Sequence, residues 1–384
     1  MNAHRNILIG AGILLSQSIV LRAVTINVPA DAPTLGHAMN IAEHGDEIVL
    51  ANGTYTGSDN EFIHFNGLAV TIRSASGDPS TCVIGMEDEN EVIFRFSNYE
   101  TRLSRLEDLT IHGRVEIGRF SRSGDPTIVG CVFQGDYASI DIDDGSRPLI
   151  SDCLFIDNQQ GSTIWIEEGS SPHILNCRFL GNWGGNAGAA NIHESSATFT
   201  NCEFINNRSN SFVGALWIRF GSAVDLINCA FVENQGGSSY GAIQLGQGNI
   251  GGNVLNVRNC LFWNNRRGDG SINEETQIRV STSDNLPSTV NIDQSTLSGW
   301  TGTYGGSGNN GSDPVFVDAD GSDNLFGTVD DDTRLMPGSP AIDSGNNNWL
   351  TCVGVDLDRE ARYEDDPATT DTGVGAAPII DRGP

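Results

Sequence analysis

A repeat with Cys, Phe and Asn at fixed offsets runs through the middle of the chain. Its six clearest copies are IVGCVFQGD (128–136), ISDCLFIDN (150–158), ILNCRFLGN (174–182), FTNCEFINN (199–207), LINCAFVEN (226–234) and VRNCLFWNN (257–265). The copies recur every 22 to 31 residues, counted from Cys to Cys. Repeats of this length predict a solenoid, in which each copy forms one coil and packs on its neighbours.

The repeat indicates which side chains stack along the solenoid. Phe follows Cys by two residues, so the two should share the inward face of one short strand. Asn follows Cys by five residues and falls in a turn, which predicts a ladder of stacked amides. We expect buried thiols rather than disulfides, because parallel stacked cysteines rarely reach the required dihedral. The six cysteines of the repeat should form one stacked column. Cys82 and Cys352 lie outside it by this pattern, and the redox state of these two residues stays open.

A second strand recurs between the copies. Its inward residues are Ile117, Ile142, Ile166, Ile192, Ile218, Leu245 and Ile278. From each Cys to the next of these residues the spacing grows from 11 to 18 along the chain. Insertions therefore accumulate in one loop, after the Asn turn. The linkers are rich in Gly, Ser and Asn without a helical period, which argues against a leucine-rich repeat.

With these repeats the chain resembles the right-handed parallel β-helix repeat family, the pectate-lyase-like superfamily. The segment VTINVPADAPTLGHAMNIAEHGDEIVLANGTY (24–55) is similar to the opening of that family, in which a short helix, here residues 34–42, caps the first coil. The predicted fold is all-β: a single right-handed parallel β-helix solenoid of roughly ten coils, residues 24–312. Capping protects the sheet edges at the end of the solenoid.

The last part of the chain, residues 313–384, is predicted to be an irregular acidic tail packing on the last coils. Its segments DPVFVDADGSDNLFGTVDDD (313–332), LMPGSPAIDSG (335–345) and DTGVGAAPIID (371–381) resemble tails of secreted bacterial β-helix proteins, often of planctomycete type. Asp318, Asp320 and Asp323 alternate near a glycine, a pattern typical of Ca²⁺ loops, although a plain acidic turn explains it as well. No cofactor is required by the sequence, and Ca²⁺ is the one that it suggests.

The N-terminus and the composition bear on the compartment and the partners. Residues 1–23 have a positive start and an apolar run from Ile7 to Val20, which predicts a signal peptide and a secreted or cell-surface protein. No transmembrane segment is predicted in the mature chain. The net charge of −28 argues against a nucleic-acid partner. All 21 basic residues are arginines, which excludes lysine-based catalysis.

Outward residues beside the inward aliphatics predict a carbohydrate-binding face. Trp165 and Trp217 should lie two coils apart, about 10 Å, as stacking platforms for sugar rings. Asn191 and Gln244 belong to the same outward column and would bind the sugar hydroxyls. Two alternatives are that each Trp packs under its neighbouring loop or that the face binds a protein.

The adjacent outward column carries candidate catalytic residues: Asp141, Asp143, Glu167, His193 and Arg219. Three carboxylates in close proximity can share a proton or bind Ca²⁺. The resemblance implies either a Ca²⁺-assisted lyase with an Arg base or a hydrolase with an Asp cluster and a His. The alternative is a solvated acidic face without catalysis.

Three functions remain open from the sequence. The first is an exported or cell-surface protein that binds polysaccharide or cell-surface glycan on this outward face. The second is an enzyme, a pectate-lyase-like polysaccharide lyase or a glycoside hydrolase. The third is a non-catalytic structural or adhesive surface protein. The sequence does not decide whether the chain is catalytic, what its substrate is or how it oligomerises.

Overall fold

The computed structural model describes residues 23–85, 91–237, 240–246, 252–349 and 354–384. The described chain is a parallel β-solenoid in which three sheets run along the stack, as the sequence predicted. The predicted signal peptide lies almost entirely outside the described residues. Within them, no helix is both long and apolar enough to cross a membrane.

The first sheet has eleven parallel strands. In order, they are Thr25–Val28, Glu47–Leu50, Thr71–Ser74, Arg105–Glu107, Thr127–Val129, Leu149–Ser151, His173–Leu175, Ser196–Thr200, Ala223–Ile227, Val254–Arg258 and Thr289–Asp293. The second sheet has ten, namely Gly53–Tyr55, Cys82–Gly85, Thr110–His112, Val132–Gln134, Leu154–Ile156, Arg178–Leu180, Glu203–Ile205, Ala230–Val232, Leu261–Trp263 and Thr296–Leu297.

The third sheet has nine strands and carries the candidate site. They are Ile63–His64, Val92–Phe96, Arg114–Ile117, Ser139–Ile142, Ile164–Ile166, Ala190–His193, Leu216–Arg219, Ile243–Leu245 and Ile278–Val280. The all-β class and the single parallel solenoid agree with the prediction, whereas the number of coils differs slightly from the roughly ten expected.

The predicted columns of inward residues are confirmed. Register pairs on the third sheet join Ile142 to Ile166, Ile166 to Ile192, and Ile192 to Ile218, and all four side chains are fully buried. On the second sheet, successive Phe rings from Phe133 to Phe262 stack with centroids 4.4–4.8 Å apart. Each coil therefore packs the same side chain on its own copy in the next coil.

The asparagine ladder is also confirmed. The Nδ2 of Asn182 donates to Oδ1 of Asn207 at 2.9 Å, and Nδ2 of Asn207 donates to Oδ1 of Asn234 at 3.0 Å. The same nitrogens donate to phenylalanine carbonyls of the preceding coil, for instance Asn182 to Phe155 at 3.0 Å. The ladder thus satisfies backbone groups in the bend between the second and third sheets.

One local prediction was wrong: Cys and Phe do not share a strand. The residue before each Cys takes a positive φ, for example 51° at Asn176 and 52° at Asn201, and this bends the chain at the Cys. The segment before the bend forms the first sheet, whose inward residues, such as Ile174 and Phe199, precede the Cys by three positions. Asn tolerates the left-handed region well, which explains its use at this corner.

Seven cysteines are buried free thiols: Cys82, Cys131, Cys153, Cys177, Cys202, Cys229 and Cys260. The prediction of buried thiols is therefore confirmed for the column. Cys82 was wrongly placed outside it. Val83 pairs with Thr110, and Thr110 with Val132, so Cys82 lies in line with Leu109 and Cys131. Burial raises the pKa of Cys82 to about 12, which keeps this thiol protonated. Cys352 lies outside the described residues.

The loops between the second and third sheets, where the insertions accumulate, stack on one another. Trp183–Gly184 pairs in parallel with Arg208–Ser209 in a small separate sheet. At Gly214 an added Cβ would lie 2.4 Å from the carbonyl oxygen of Gly241, so the loops approach at backbone distance. In the longest loop, a short helix, Glu274–Gln277, ends the ladder, where Gln277 accepts from Asn265 at 2.7 Å.

Short elements outside the three sheets lie near the two ends of the chain. A helix at Leu35–Ile41, with Thr34 as its N-cap, caps the first coil and confirms the predicted position. The tail contains an antiparallel pair of strands, Phe316–Asp318 and Asp332–Leu335, and short 3₁₀ helices lie at Pro79–Thr81 near the start of the chain and at Asn347–Trp349 in the tail.

The tail does not pack on the last coils alone. It runs back along the outer face of the second sheet, where Ala341 packs against buried residues from Leu180 to Leu261. Arg178 donates to the carbonyl oxygen of Val329 at 3.3 Å, and Asn228 to that of Asp381 at 3.1 Å. Outward apolar residues of this sheet are thereby removed from water.

Candidate functional site

The outward side of the third sheet contains a cleft of about 370 Å³, here called the acidic cleft. The residues of the cleft that concern its chemistry are Arg114, Arg119, Asp141, Asp143, Trp165 and Glu167. Asp141 lies in the strand Ser139–Ile142, flanked by inward Ile140 and Ile142, so alternation along the strand directs it outward. The register pairs Asp141 with Trp165 of the next coil. The structure thus brings together four of the residues predicted from the sequence.

Arg114 and Arg119 belong to the cleft but were missed by sequence reasoning. Arg114 lies at the start of its strand, two residues before Glu116, and its Nη1 is 3.5 Å from Oδ2 of Asp141. Glu116 is buried and is held by Arg95, whose Nε donates to it at 2.6 Å. Arg114 and Glu116 alternate with the inward residues Val115 and Ile117, so the sequence contained a signal for the outward position of Arg114.

Burial and neighbouring carboxylates raise the pKa of both aspartates in the cleft. The pKa of Asp141 rises to about 6, mainly through burial, with the carboxylates of Glu116 and Glu167 adding to the effect and Arg114 opposing it. The pKa of Asp143 rises to about 7, again mainly through burial and then through Asp141 and Glu167. One carboxyl group of the pair can therefore carry a proton near neutral pH.

His193 and Arg219 extend the same column but take up other contacts. Nδ1 of His193 lies 3.6 Å from Oε1 of Glu167, so His193 borders the cleft. Arg219 lies one coil further, where its Nε donates to Oδ1 of Asn191 at 3.2 Å and its guanidinium covers the ring of Trp217 at 4.3 Å. Of the five predicted catalytic residues, three therefore line the cleft, one borders it and one is engaged elsewhere.

The predicted sugar-binding column is open at only one of its four positions. Trp165 is half-buried in the cleft, whereas Asn191 and Gln244 are buried. Trp217 is only 2% exposed, and its ring lies between Arg219 and the ring of Phe212, whose centroid is 4.6 Å away. The expectation that Trp217 presents a free face was wrong, because Phe212 comes from one of the longer stacked loops. Short loops leave the face open at Trp165, and longer loops cover it at Trp217.

The acidic residues of the cleft do not fit a bound Ca²⁺. Metal ligands such as His, Cys, Asp and Glu side chains converge on a bound ion. Among the described residues, one set of three such side chains has its ligand atoms within 4.8 Å of one another, namely Asp343, Asp365 and Asp371. Asp141, Asp143 and Glu167 do not converge in this way, so we derive no metal-assisted step at the cleft.

Asp318, Asp320 and Asp323 do not converge either. Oδ1 of Asp323 accepts from the backbone nitrogen of Leu325 at 2.8 Å, and Asp330 accepts from Ser322 at 2.7 Å and from the backbone nitrogen of Asp323 at 3.2 Å. Carboxylate hydrogen bonds within the loop therefore hold this segment, which agrees with the alternative of an acidic turn.

Comparison with known proteins agrees with the fold. Residues 117–286 match the family model described as "Right handed beta helix region", which supports a right-handed β-helix family and the predicted handedness for this part of the chain. Among solved structures, one match is the crystal structure of pectate lyase Pel9A. It has 15% sequence identity and a TM-score of 0.47, and the match covers 83% of this chain and 88% of that chain. No curated protein matches the sequence.

Proposed function

We propose that the protein binds a polysaccharide in the acidic cleft. The observation that carries the proposal is the juxtaposition of half-buried Trp165 with the carboxylates of Asp141, Asp143 and Glu167 in one open cleft. An indole ring stacks on the apolar face of a sugar, and carboxylates accept hydrogen bonds from its hydroxyls. Trp165 and Asp141 lie in strands of one sheet, and Asp143 and Glu167 follow those strands directly, so little conformational freedom is lost on binding.

The charge of the cleft favours a neutral glycan. The chain has a net charge of −28, and the carboxylates of the cleft outnumber its arginines. A polyuronate would be repelled, since the three carboxylates do not form a cation site that could bridge to it. We further propose that binding takes place outside the cell, which the signal-peptide pattern of residues 1–23 supports.

We expect replacement of Trp165 by Ala to weaken glycan binding by at least about tenfold, which corresponds to about 1.4 kcal/mol. The measurement is a glycan-array screen of the full chain, with and without Ca²⁺, followed by calorimetric titration with the best neutral oligosaccharide. The matched control is Trp183→Ala, because Trp183 is 42% exposed and lies outside the acidic cleft. If no glycan binds under either condition, the proposal fails and a structural or adhesive role takes its place.

A second candidate function is hydrolysis of the bound glycan. The observation that favours it is the pair of raised pKa values in the cleft, about 6 at Asp141 and about 7 at Asp143. Asp141 lies in the strand Ser139–Ile142 and Asp143 follows that strand directly. Two positions of extended backbone span roughly 7 Å, which is within the range for an inverting pair with a water between them. Asp143 would protonate the leaving oxygen, and Asp141 would accept the proton of the attacking water.

If the chain is a hydrolase, its activity should fall as the pH rises through about 7, because Asp143 then loses the proton that it must donate. We expect Asp143→Asn to reduce kcat by about 100-fold or more and to remove this alkaline limb of the profile. The measurement is the pH dependence of reducing-sugar release from the glycan identified on the array. Asp59→Asn, at an exposed position away from the cleft, is the control for the loss of one charge. A profile that Asp143→Asn leaves unchanged contradicts the assignment.

A further inference from the structure

Asp343, in the C-terminal tail, has a buried carboxylate. Its relative exposure is 0%, and neither Oδ1 nor Oδ2 has a hydrogen-bond partner among the residues that the structure describes. Leaving a carboxylate buried and unpaired costs several kcal/mol, so buried carboxylates are normally paired with a cation or bind a metal ion.

Two further carboxylates meet Asp343. One ligand oxygen each from Asp343, Asp365 and Asp371 lies within 4.8 Å of the other two, whereas the side chains of Asp365 and Asp371 are exposed. No other such set of three occurs in the ranges that the structure describes. The arrangement has one buried oxygen ligand at the base and two ligands from the solvent side.

The backbone fixes this geometry. Asp343 adopts a φ of 50°, and its carbonyl oxygen accepts from the nitrogens of Thr372 and Gly373 at 2.9 and 3.1 Å. These bonds hold the segment that carries Asp371 against Asp343. Asp366 holds the turn that follows Asp365, because its Oδ2 accepts from Oγ1 of Thr369 at 2.9 Å. The three ligands thus come from two segments that are tied together independently of their carboxylates.

The two buried arginines of the tail bind elsewhere. Arg382 donates to the carbonyl oxygens of Ser344 and Gly308 at 3.2 and 2.8 Å, and to Oγ1 of Thr296 at 3.0 Å. Arg362 donates to Oδ1 of Asn201 and to the carbonyl oxygen of Gly383. Burial and, to a lesser extent, the nearby carboxylates of Asp381, Asp371, Asp365 and Asp366 together raise the pKa of Asp343 to about 6.

We propose that Asp343, Asp365 and Asp371 bind a hard divalent cation, Ca²⁺, which ties two segments of the C-terminal tail together. Three carboxylates supply oxygen ligands only, which suits Ca²⁺ and excludes the soft-ligand metals. Ca²⁺ accepts irregular geometry and further ligands from water or backbone carbonyls, whereas Mg²⁺ requires a near-ideal octahedron. The site is separate from the acidic cleft and does not depend on glycan binding.

The test is calorimetric titration of the chelator-treated full chain with CaCl₂, combined with thermal unfolding in Ca²⁺ and in chelator. We expect binding of Ca²⁺ and a rise in Tm, and both should be weaker with MgCl₂. Asp365→Asn/Asp371→Asn should lower the Ca²⁺ affinity on the order of 100-fold. Asp318→Asn/Asp323→Asn, which removes the same charge from the same tail, should keep the full response.

The single substitution Asp343→Asn gives a second readout, because it should change the Tm in opposite directions in chelator and in Ca²⁺. Asp343→Asn removes the buried charge, so in chelator its Tm should exceed that of the natural protein, while its Ca²⁺-dependent rise should disappear. The proposal is overturned if the natural chain shows no Ca²⁺-dependent heat or Tm shift, or if the Asp365/Asp371 double variant retains the response. An equal response to Mg²⁺ would overturn the choice of Ca²⁺.

Discussion

Replacing Asn207 by Ala is expected to lower the free energy of unfolding by about 3–6 kcal/mol, since it interrupts the amide ladder at its centre. Asn207 donates to Oδ1 of Asn234 and to the carbonyl oxygen of Phe179, and it accepts from both the backbone and the side chain of Asn182. Removing the side chain eliminates all four bonds, and each buried polar group that is left unsatisfied costs about 1–3 kcal/mol. Urea denaturation followed by circular dichroism measures the loss as a lower midpoint at an unchanged slope.

Asn210→Ala is the matched control for this experiment. It makes the same chemical change three residues later in the same coil, at an exposed side chain. Its unfolding free energy should stay within about 0.5 kcal/mol of that of the natural protein. Equal losses in the two variants would show that the ladder contributes nothing specific to stability.

The second large effect is expected for Trp217→Ala, which should destabilise the fold by about 3–5 kcal/mol and leave glycan affinity unchanged. Trp217 packs with Ala187, Val213 and Phe212 beneath the stacked loops, and its Nε1 donates to the carbonyl oxygen of Gly246 at 3.4 Å. Truncation leaves a cavity that the paired loops cannot easily close. Denaturation and the glycan titration, performed on the same sample, separate the two roles.

The control for this variant is Trp183→Ala, which removes a more exposed indole from a neighbouring loop. It should cost much less stability than Trp217→Ala. A Trp217→Ala protein that folds normally but no longer binds glycan would restore the original expectation of a two-tryptophan platform and contradict the buried position.

The parts of the fold that were predictable from the sequence are those fixed by stacking. Ile142, Ile166 and Ile192 must align because each coil pairs in parallel with the next, and identical residues at equal spacing therefore meet. The corner at each Cys was not predictable in the same way. It depends on a positive φ at one residue, such as Asn176, which a two-residue alternation pattern does not reveal.

The candidate sites were likewise only partly predictable from the sequence. The outward position of Asp141 follows from alternation, but the burial of Trp217 depends on the path that Phe212 takes over the sheet, which loop length alone does not specify. The set of Asp343, Asp365 and Asp371 was missed altogether. Its members are 22 and 6 residues apart in a tail without periodicity, and hydrogen bonds between two segments bring them together.

The buried column of cysteines can report the local opening of single coils of the solenoid. Cys131, Cys153, Cys177, Cys202, Cys229 and Cys260 each mark one successive coil, and all are shielded in the folded state. A thiol-reactive reagent can modify each one only while its coil is transiently open, so the modification rate measures the opening free energy of that coil. Peptide mapping after a timed exposure would therefore show whether the stack opens from its ends or in its middle.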